Sequence, residues 1–323
     1  ELFVRPAGST TWKLATPTGV ASNGGLVMAA SGATSLVTGF LPSQKLTFSP
    51  LAVTSDGGRN WSQNLLLSPG FRAVPNALAV SPRGQLLALT NAGNVEAGTG
   101  RGATWRTLAT QRTLADSPVG RACGVRTLTA AAWTPAGSPL VAASCDRPGA
   151  TGIFAFSAGG WRRAGPALPA SLSRRVINVI GLATTGQRTT VVLAAMSAAG
   201  ATIVTGWSAD GGTTWQLSPA LSAGRASRPS VSIWADGSVG LVLPTGAAAS
   251  ETQSATIGWQ SASWRTLPPL PARTATLAAG PGGQPQVLTV SGTALTAWQL
   301  TTGSSRWTMT QTIRVPVPYG SSG

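Results

Sequence analysis

Tryptophan recurs in this chain at a spacing that leaves few folds open. Seven of the twelve tryptophans, Trp12, Trp61, Trp105, Trp161, Trp215, Trp264 and Trp307, follow one another at intervals of 43 to 56 residues. Two of them close nearly the same phrase, TSDGGRNW at 54–61 and SADGGTTW at 208–215. A period in the forties to fifties is that of a four-stranded propeller blade, a unit that buries its faces only by stacking on copies of itself.

One unit reads cleanly. VINVIGLAT, VVLAAM and TIVTGW are apolar runs separated by TGQRT and SAAGA, and the SADGGTT turn then leads into WQLSP. Four short strands, A to D, with turn residues between each pair are expected from this pattern. Strands A and B are apolar on both faces, as strands held between neighbouring blades should be. Phe156, Trp207, Trp259 and Trp298 end strand C and are read as packing residues.

The repeated phrase, Ser/Thr-x-Asp-x-Gly-x-x-Trp, resembles the Asp-box, or BNR repeat, of sialidase-like β-propellers. Thr54, Asp56, Gly58 and Trp61 fit it, as do Ser208, Asp210, Gly212 and Trp215. A third copy, GTGRGATW, keeps Gly102 and Trp105 but has Gly100 in the place of the Asp. The resemblance spans essentially the whole chain and implies that the box lies in the C–D turn, on the face opposite a sialidase active site. The chemistry agrees, since Asp accepts backbone N–H bonds, Gly permits positive φ, and Trp plugs the turn into the blade. The box is therefore expected to fold the blade and to take no part in catalysis.

The expected architecture is all-β, a single β-propeller over residues 1–323 with four-stranded antiparallel blades. Seven blades are expected and six are the alternative. The seventh would be closed by an N-terminal C–D hairpin, residues 1–16, and a C-terminal strand, 306–319, which protects the ring's edges. The chain opens at ELFVRPAG without a signal peptide, as a trimmed or mature form would, and no run of roughly 18 apolar residues suggests a membrane-spanning helix.

Charge is lopsided. Lys and Arg number 23 against 8 Asp and Glu, a net charge of +15, and Lys13 and Lys45 are the only lysines. Arg72, Arg126, Arg175, Arg228, Arg273 and Arg314 each stand where a strand A begins. In a propeller these starts surround the channel mouth on the face opposite the boxes, so a ring of guanidinium groups is expected there. Arginine binds carboxylate, sulfate or phosphate in bidentate fashion, and sialidases use an arginine cluster on that face for a sugar carboxylate. The alternative is that the repeat copies a solvated capping residue.

Histidine is absent, which removes the commonest general base and the commonest metal ligand together. The only tyrosine, Tyr319, is four residues from the end, and the Arg-Ile-Pro stretch of sialidases is unmatched. Other glycosidases need two carboxylates about 5–10 Å apart. Asp56 and Asp210 belong to boxes and Asp236 to an A–B turn, which leaves Asp116, Asp146 and Glu251 on the arginine side. No catalytic residue, cofactor or metal is expected.

Cys123 precedes a strand A and Cys145 ends the strand B paired with it, so antiparallel geometry brings them together. A disulfide and an oxidising compartment are expected; two half-buried thiols are the alternative. The expected function is a non-catalytic, extracytoplasmic or cell-surface propeller that binds an anionic polymer, a glycan or a protein through its arginines. One version is similar to the propeller assembly factors of photosystem II, Asp-box proteins of comparable size with an arginine patch. A structural subunit of a surface assembly, self-associating through RVPVPYGSSG, and a sialidase-like or other glycoside hydrolase are the alternatives. Specific nucleic-acid binding is not expected, because +15 comes with two lysines, no basic run and no known motif.

Overall fold

A computed structural model describes residues 2–6, 9, 11–17, 26–32, 34–40, 50–62, 71, 73–99, 104–197, 200–223, 229–245, 251–259, 261–272 and 275–314. The chain begins with a hairpin of β1 (Phe3–Val4) and β2 (Lys13–Leu14). Blade 1 is β3 (Leu26–Ser31), β4 (Ser35–Phe40) and β5 (Leu51–Thr54). Blade 2 is β6 (Pro75–Val80), β7 (Leu86–Thr90), β8 (Asn94–Thr99) and β9 (Thr104–Thr110). Two short helices follow, α1 (Gln111–Ala115) and α2 (Pro118–Cys123). Blade 3 is β10 (Val125–Trp133), β11 (Pro139–Cys145), β12 (Ile153–Ser157) and β13 (Gly160–Arg163).

Blade 4 is β14 (Ile177–Thr185), β15 (Arg188–Ser197), β16 (Gly200–Ser208) and β17 (Gln216–Leu217), with β18 (Leu221–Ala223) also pairing to β16. Blade 5 is β19 (Ser230–Ile233), β20 (Val239–Thr245), β21 (Glu251–Ile257) and β22 (Arg265–Thr266). Blade 6 is β23 (Ala275–Ala279), β24 (Pro285–Ser291), β25 (Ala294–Gln299) and β26 (Thr308–Arg314). Each blade is an antiparallel meander in chain order. Successive first strands β3, β6, β10, β14, β19 and β23 neighbour one another, which sets the blades side by side around an axis.

The blades hold together through their faces. Strands β11 and β15 are buried nearly along their length, and the apolar clusters lie between blades. Val141 and Ala143 face blade 2 with Leu87 and Leu89, while Leu140 and Ala142 face blade 4 with Val191 and Leu193. Strands apolar on both faces are the sequence signature of this arrangement. Trp207, 2% exposed, meets Trp259 edge-on at 5.8 Å, and Phe156 packs on Trp161 at 5.0 Å.

The expectation of seven blades is corrected to six. The Trp12 unit contributes only two strands of two residues each, β1 and β2, too few ladder bonds for a blade, and residues 315–323 lie outside the described residues. The hairpin nevertheless packs between blades 6 and 1. Arg5 Nη1 donates to Gln286 Oε1 at 2.9 Å, and Trp12 N donates to Gln311 Oε1 at 2.8 Å. On its other side, a Cβ placed on Gly58 would sit 3.2 Å from Val4 Cγ2 and 3.6 Å from Ala15. The same turn in blade 4 packs on Ala164 of blade 3, where Gly212 meets the Ala164 carbonyl. TWKLA at 11–15 thus occupies the place that GWRRA at 160–164 holds one blade earlier than its partner turn.

Candidate functional site

The two Asp-containing turns follow strand C, as the sequence implies, and build one network twice. Thr54 Oγ1 donates to Asp56 Oδ1 at 2.7 Å and accepts from Gly58 N at 3.1 Å. Asp56 Oδ1 also takes the N–H groups of Arg59 and Asn60, both at 2.9 Å. Ser208 Oγ donates to Asp210 Oδ1 at 2.8 Å, Gly212 N donates to Ser208 Oγ at 2.8 Å, and Thr213 N and Thr214 N each reach Asp210 Oδ1 at 2.9 Å. Gly58 and Gly212 adopt φ of +85° and +89°, where a side chain is strained.

These donors favour the charged carboxylates. The Asn60 amide, then the Thr54 hydroxyl, hold Asp56 far below the usual carboxylate range, and the Thr214 hydroxyl and amide do the same for Asp210. A carboxylate this stabilised is a poor base. Trp215 Nε1 completes the second turn by donating to Ala164 O at 2.9 Å. Trp61 ends the first turn half-buried against Phe40 and Ala52.

Of the arginines expected at one mouth, Arg126, Arg175 and Arg314 are described and exposed, but Arg314 does not open a strand A: it ends β26, the outermost strand of blade 6, because 308–314 pairs with β25. Arg72, Arg228 and Arg273 lie outside the described residues. Arg126 and Arg175 stand at or just before adjacent first strands, β10 and β14, and their side chains lean outward along their own blades. Arg126 Nε reaches Asp146 Oδ1 at 3.2 Å, on the B–C loop, and Arg175 Nη1 reaches Thr202 Oγ1 at 3.4 Å, at the start of strand C.

Sequence reasoning missed the scaffold that gathers further arginines beside these two. Helices α1 and α2 fold because Thr110 and Ser117 cap their N-termini, Pro118 sits in the first turn of α2, and Gly124 ends it at φ +67°. The signals were present in TQRTLADSPVGRACG, inside the longest tryptophan interval. The disulfide Cys123–Cys145, with Cα atoms 5.2 Å apart, staples α2 to the end of β11. Arg147 N donates to Cys123 O at 3.1 Å, Asp146 N to Gly124 O at 2.9 Å, and Gly149 N to Arg175 O at 2.9 Å. Gln111 Nε2 donates to Arg126 O, and Arg121 Nη1 to Asp116 O.

One connected surface on blades 3 and 4 therefore carries exposed Arg112, Arg121, Arg126, Arg147, Arg174 and Arg175 against two acids, Asp116 and Asp146. Each acid already faces an arginine, Asp116 at 3.9 Å from Arg112 and Asp146 at 3.2 Å from Arg126. Their side chains are 74% and 58% exposed. Such a surface can attract and pair with anions. Among the described residues no group of three or more Cys, Asp or Glu side chains could hold a metal. No described helix is long and apolar enough to cross a membrane.

Neither a protein-family model nor a curated protein sequence matches the chain. Among solved structures, YCF48 bound to D1 peptide is similar with a TM-score of 0.52 and 13% identity, over 90% of this chain and 82% of that one. The extracellular domain of BT4673 from B. thetaiotaomicron, a hybrid two-component system, gives 0.52 at 10% identity, over 88% of this chain and 36% of that one. The Aleuria aurantia lectin, a six-bladed β-propeller, gives 0.45 at 16% identity, over 91% and 96%. Identities this low speak of fold alone, and the two structures at 0.52, with six antiparallel meanders around an axis, define the class: the chain is a β-propeller.

Proposed function

We propose that this chain is a non-catalytic binding propeller of an oxidising, extracytoplasmic compartment, and that it takes an anionic polymer such as a sulfated glycan on blades 3 and 4. The observation that carries the reading is the set of six exposed arginines around two acids, held by the Cys123–Cys145 staple. Like charges gathered this closely repel one another, and a bound polyanion relieves that cost. A buried disulfide suits an oxidising compartment. The two Asp turns, with matching Oγ and Oδ networks, are read as Asp-boxes of the BNR kind that fold their blades. The hairpin is read as a clasp that closes the ring with strand 306–319.

A protein surface is the second reading. The observation that favours it is the likeness to YCF48, whose structure holds a peptide.

Heparin binding measured across a salt series tests the first reading. Replacing Arg126 and Arg175 together by Ala should weaken it about 2- to 30-fold, the sum of two exposed ion pairs, and should flatten its salt dependence. Replacing Arg59 and Arg83, exposed on turns of the opposite face, should change it less than about 2-fold. Equal loss from both pairs would mean diffuse attraction and would reject a site.

A further inference from the structure

The far end of the molecule has a different chemistry. Each of β3, β6, β10, β14 and β19 is paired to its own strand B and turns its other edge to the axis. Where these strands end, at the A–B turns, they enclose a cavity of about 590 Å³. The Asp turns share this face: Gly57 N donates to Thr34 O of the adjoining A–B turn, and Gly211 lies against Thr134 of another. The arginine surface stands at the opposite ends of the same strands.

The wall is apolar. Met28, Leu78, Trp133, Leu182 and Ile233 supply its large side chains, with alanines between them. Among the described residues none that lines it is charged, although the chain carries a net +15. An ion moved into such a wall would lose its hydration without finding a counter-charge. Trp133 is packed into the wall with its Nε1 closed off from the open space. Trp133 as a whole is 5% exposed. The volume falls within the roughly 300–1,000 Å³ of small-molecule sites. Met28, 53% exposed and lining the cavity, is a side chain that adapts to irregular apolar shapes.

We propose that the A–B-turn end of the axial channel is a binding site for one uncharged, largely apolar small molecule. The site is independent of the arginine surface, because no arginine among the described residues lines it. It gives the propeller two ends of opposite taste, one for anions and one for neutral apolar matter.

Nile red, an uncharged dye whose fluorescence rises in apolar surroundings, is the probe. Titration into the whole chain should give a saturable one-site rise. Ala30→Trp and Ala183→Trp, at lining positions that are exposed and half-buried, fill the cavity and should each weaken binding at least about tenfold. Either one, if its circular dichroism and melting match the parent, suffices. Met309→Ser removes an exposed apolar side chain from the rim of blade 6 and should leave binding unchanged. Non-saturable binding, binding that survives both fillings in folded protein, or equal loss from Met309→Ser would overturn the proposal.

Discussion

The Cys123–Cys145 staple allows a quantitative test. Replacing both cysteines by alanine frees the unfolded chain of a cross-link between positions 22 apart. The chain-entropy relation for a loop of that size gives about 3.4 kcal/mol lost at 25 °C. Both side chains are buried, at 3% and 1% exposure, so the native state loses packing as well and the figure is a floor. Unfolding entropy of about 2.1 cal/mol/K per residue over 323 residues is about 0.7 kcal/mol/K, which converts the loss into a fall of about 5 °C in melting temperature. Scanning calorimetry of the parent and the Cys123→Ala/Cys145→Ala variant reads this directly, and reductant should lower the parent alone. Amide exchange should quicken at 117–126 and 145–150, where Asp146 N and Arg147 N lean on Gly124 and Cys123. A variant that melts within about 1 °C of the parent, or two reactive thiols in the unfolded, unreduced parent, would refute the reasoning.

Acid should act through the Asp turns. Their carboxylates are held below the ordinary range, so their contribution is complete above about pH 4, the unfolded value, and fades as the pH falls toward the depressed folded values. The melting gap between the parent and Asp56→Ala/Asp210→Ala should therefore narrow below about pH 4; a gap constant from neutrality to pH 2 would contradict the network. Trp207→Ala removes a fully packed indole whose Nε1 donates to Gly237 O at 2.8 Å and should cost about 3–5 kcal/mol in urea unfolding. Met309→Ala, at 57% exposure, should cost about 0.5 kcal/mol or less, and similar losses from the two would mean that inter-blade packing is not what holds the ring.

Much of the fold is local and therefore readable. The tryptophan that enters strand D, the Asp and Gly of the C–D turn and the doubly apolar strands β11 and β15 each answer to constraints within one blade. The cysteine pairing was readable for the same reason, because antiparallel β10 and β11 bring Val125 opposite Cys145. Blade number was less so: it depends on how many strands gather at the ends of the chain, and Trp12 marks a hairpin as clearly as it would mark a blade. The arginine period placed Arg126 and Arg175 on adjacent first strands. It could not say that they lean outward, since Asp146 and Thr202 follow no period. Arg121 and Arg147 escaped notice because a helical insertion and a disulfide bring them in. The channel wall escaped too, since its lining is assembled from five strands spread across some two hundred residues.

The hairpin between blades 6 and 1 has a consequence in time. Arg5 waits for Gln286, and Trp12 for Gln311, partners 281 and 299 residues further along. At a synthesis rate of roughly 5–20 residues per second, the strands of the hairpin stay without these partners for about 15–60 s. Throughout that interval the nascent chain is an open arc with a bare strand edge at its growing end. Contacts between residues so far apart close slowly even in the finished chain. During the delay the hairpin of one chain can meet blade 6 of another just emerging beside it, and the same hydrogen bonds then join two molecules by exchange. Where the chain is made, and how crowded its siblings are, thus bears on whether each ring closes upon itself.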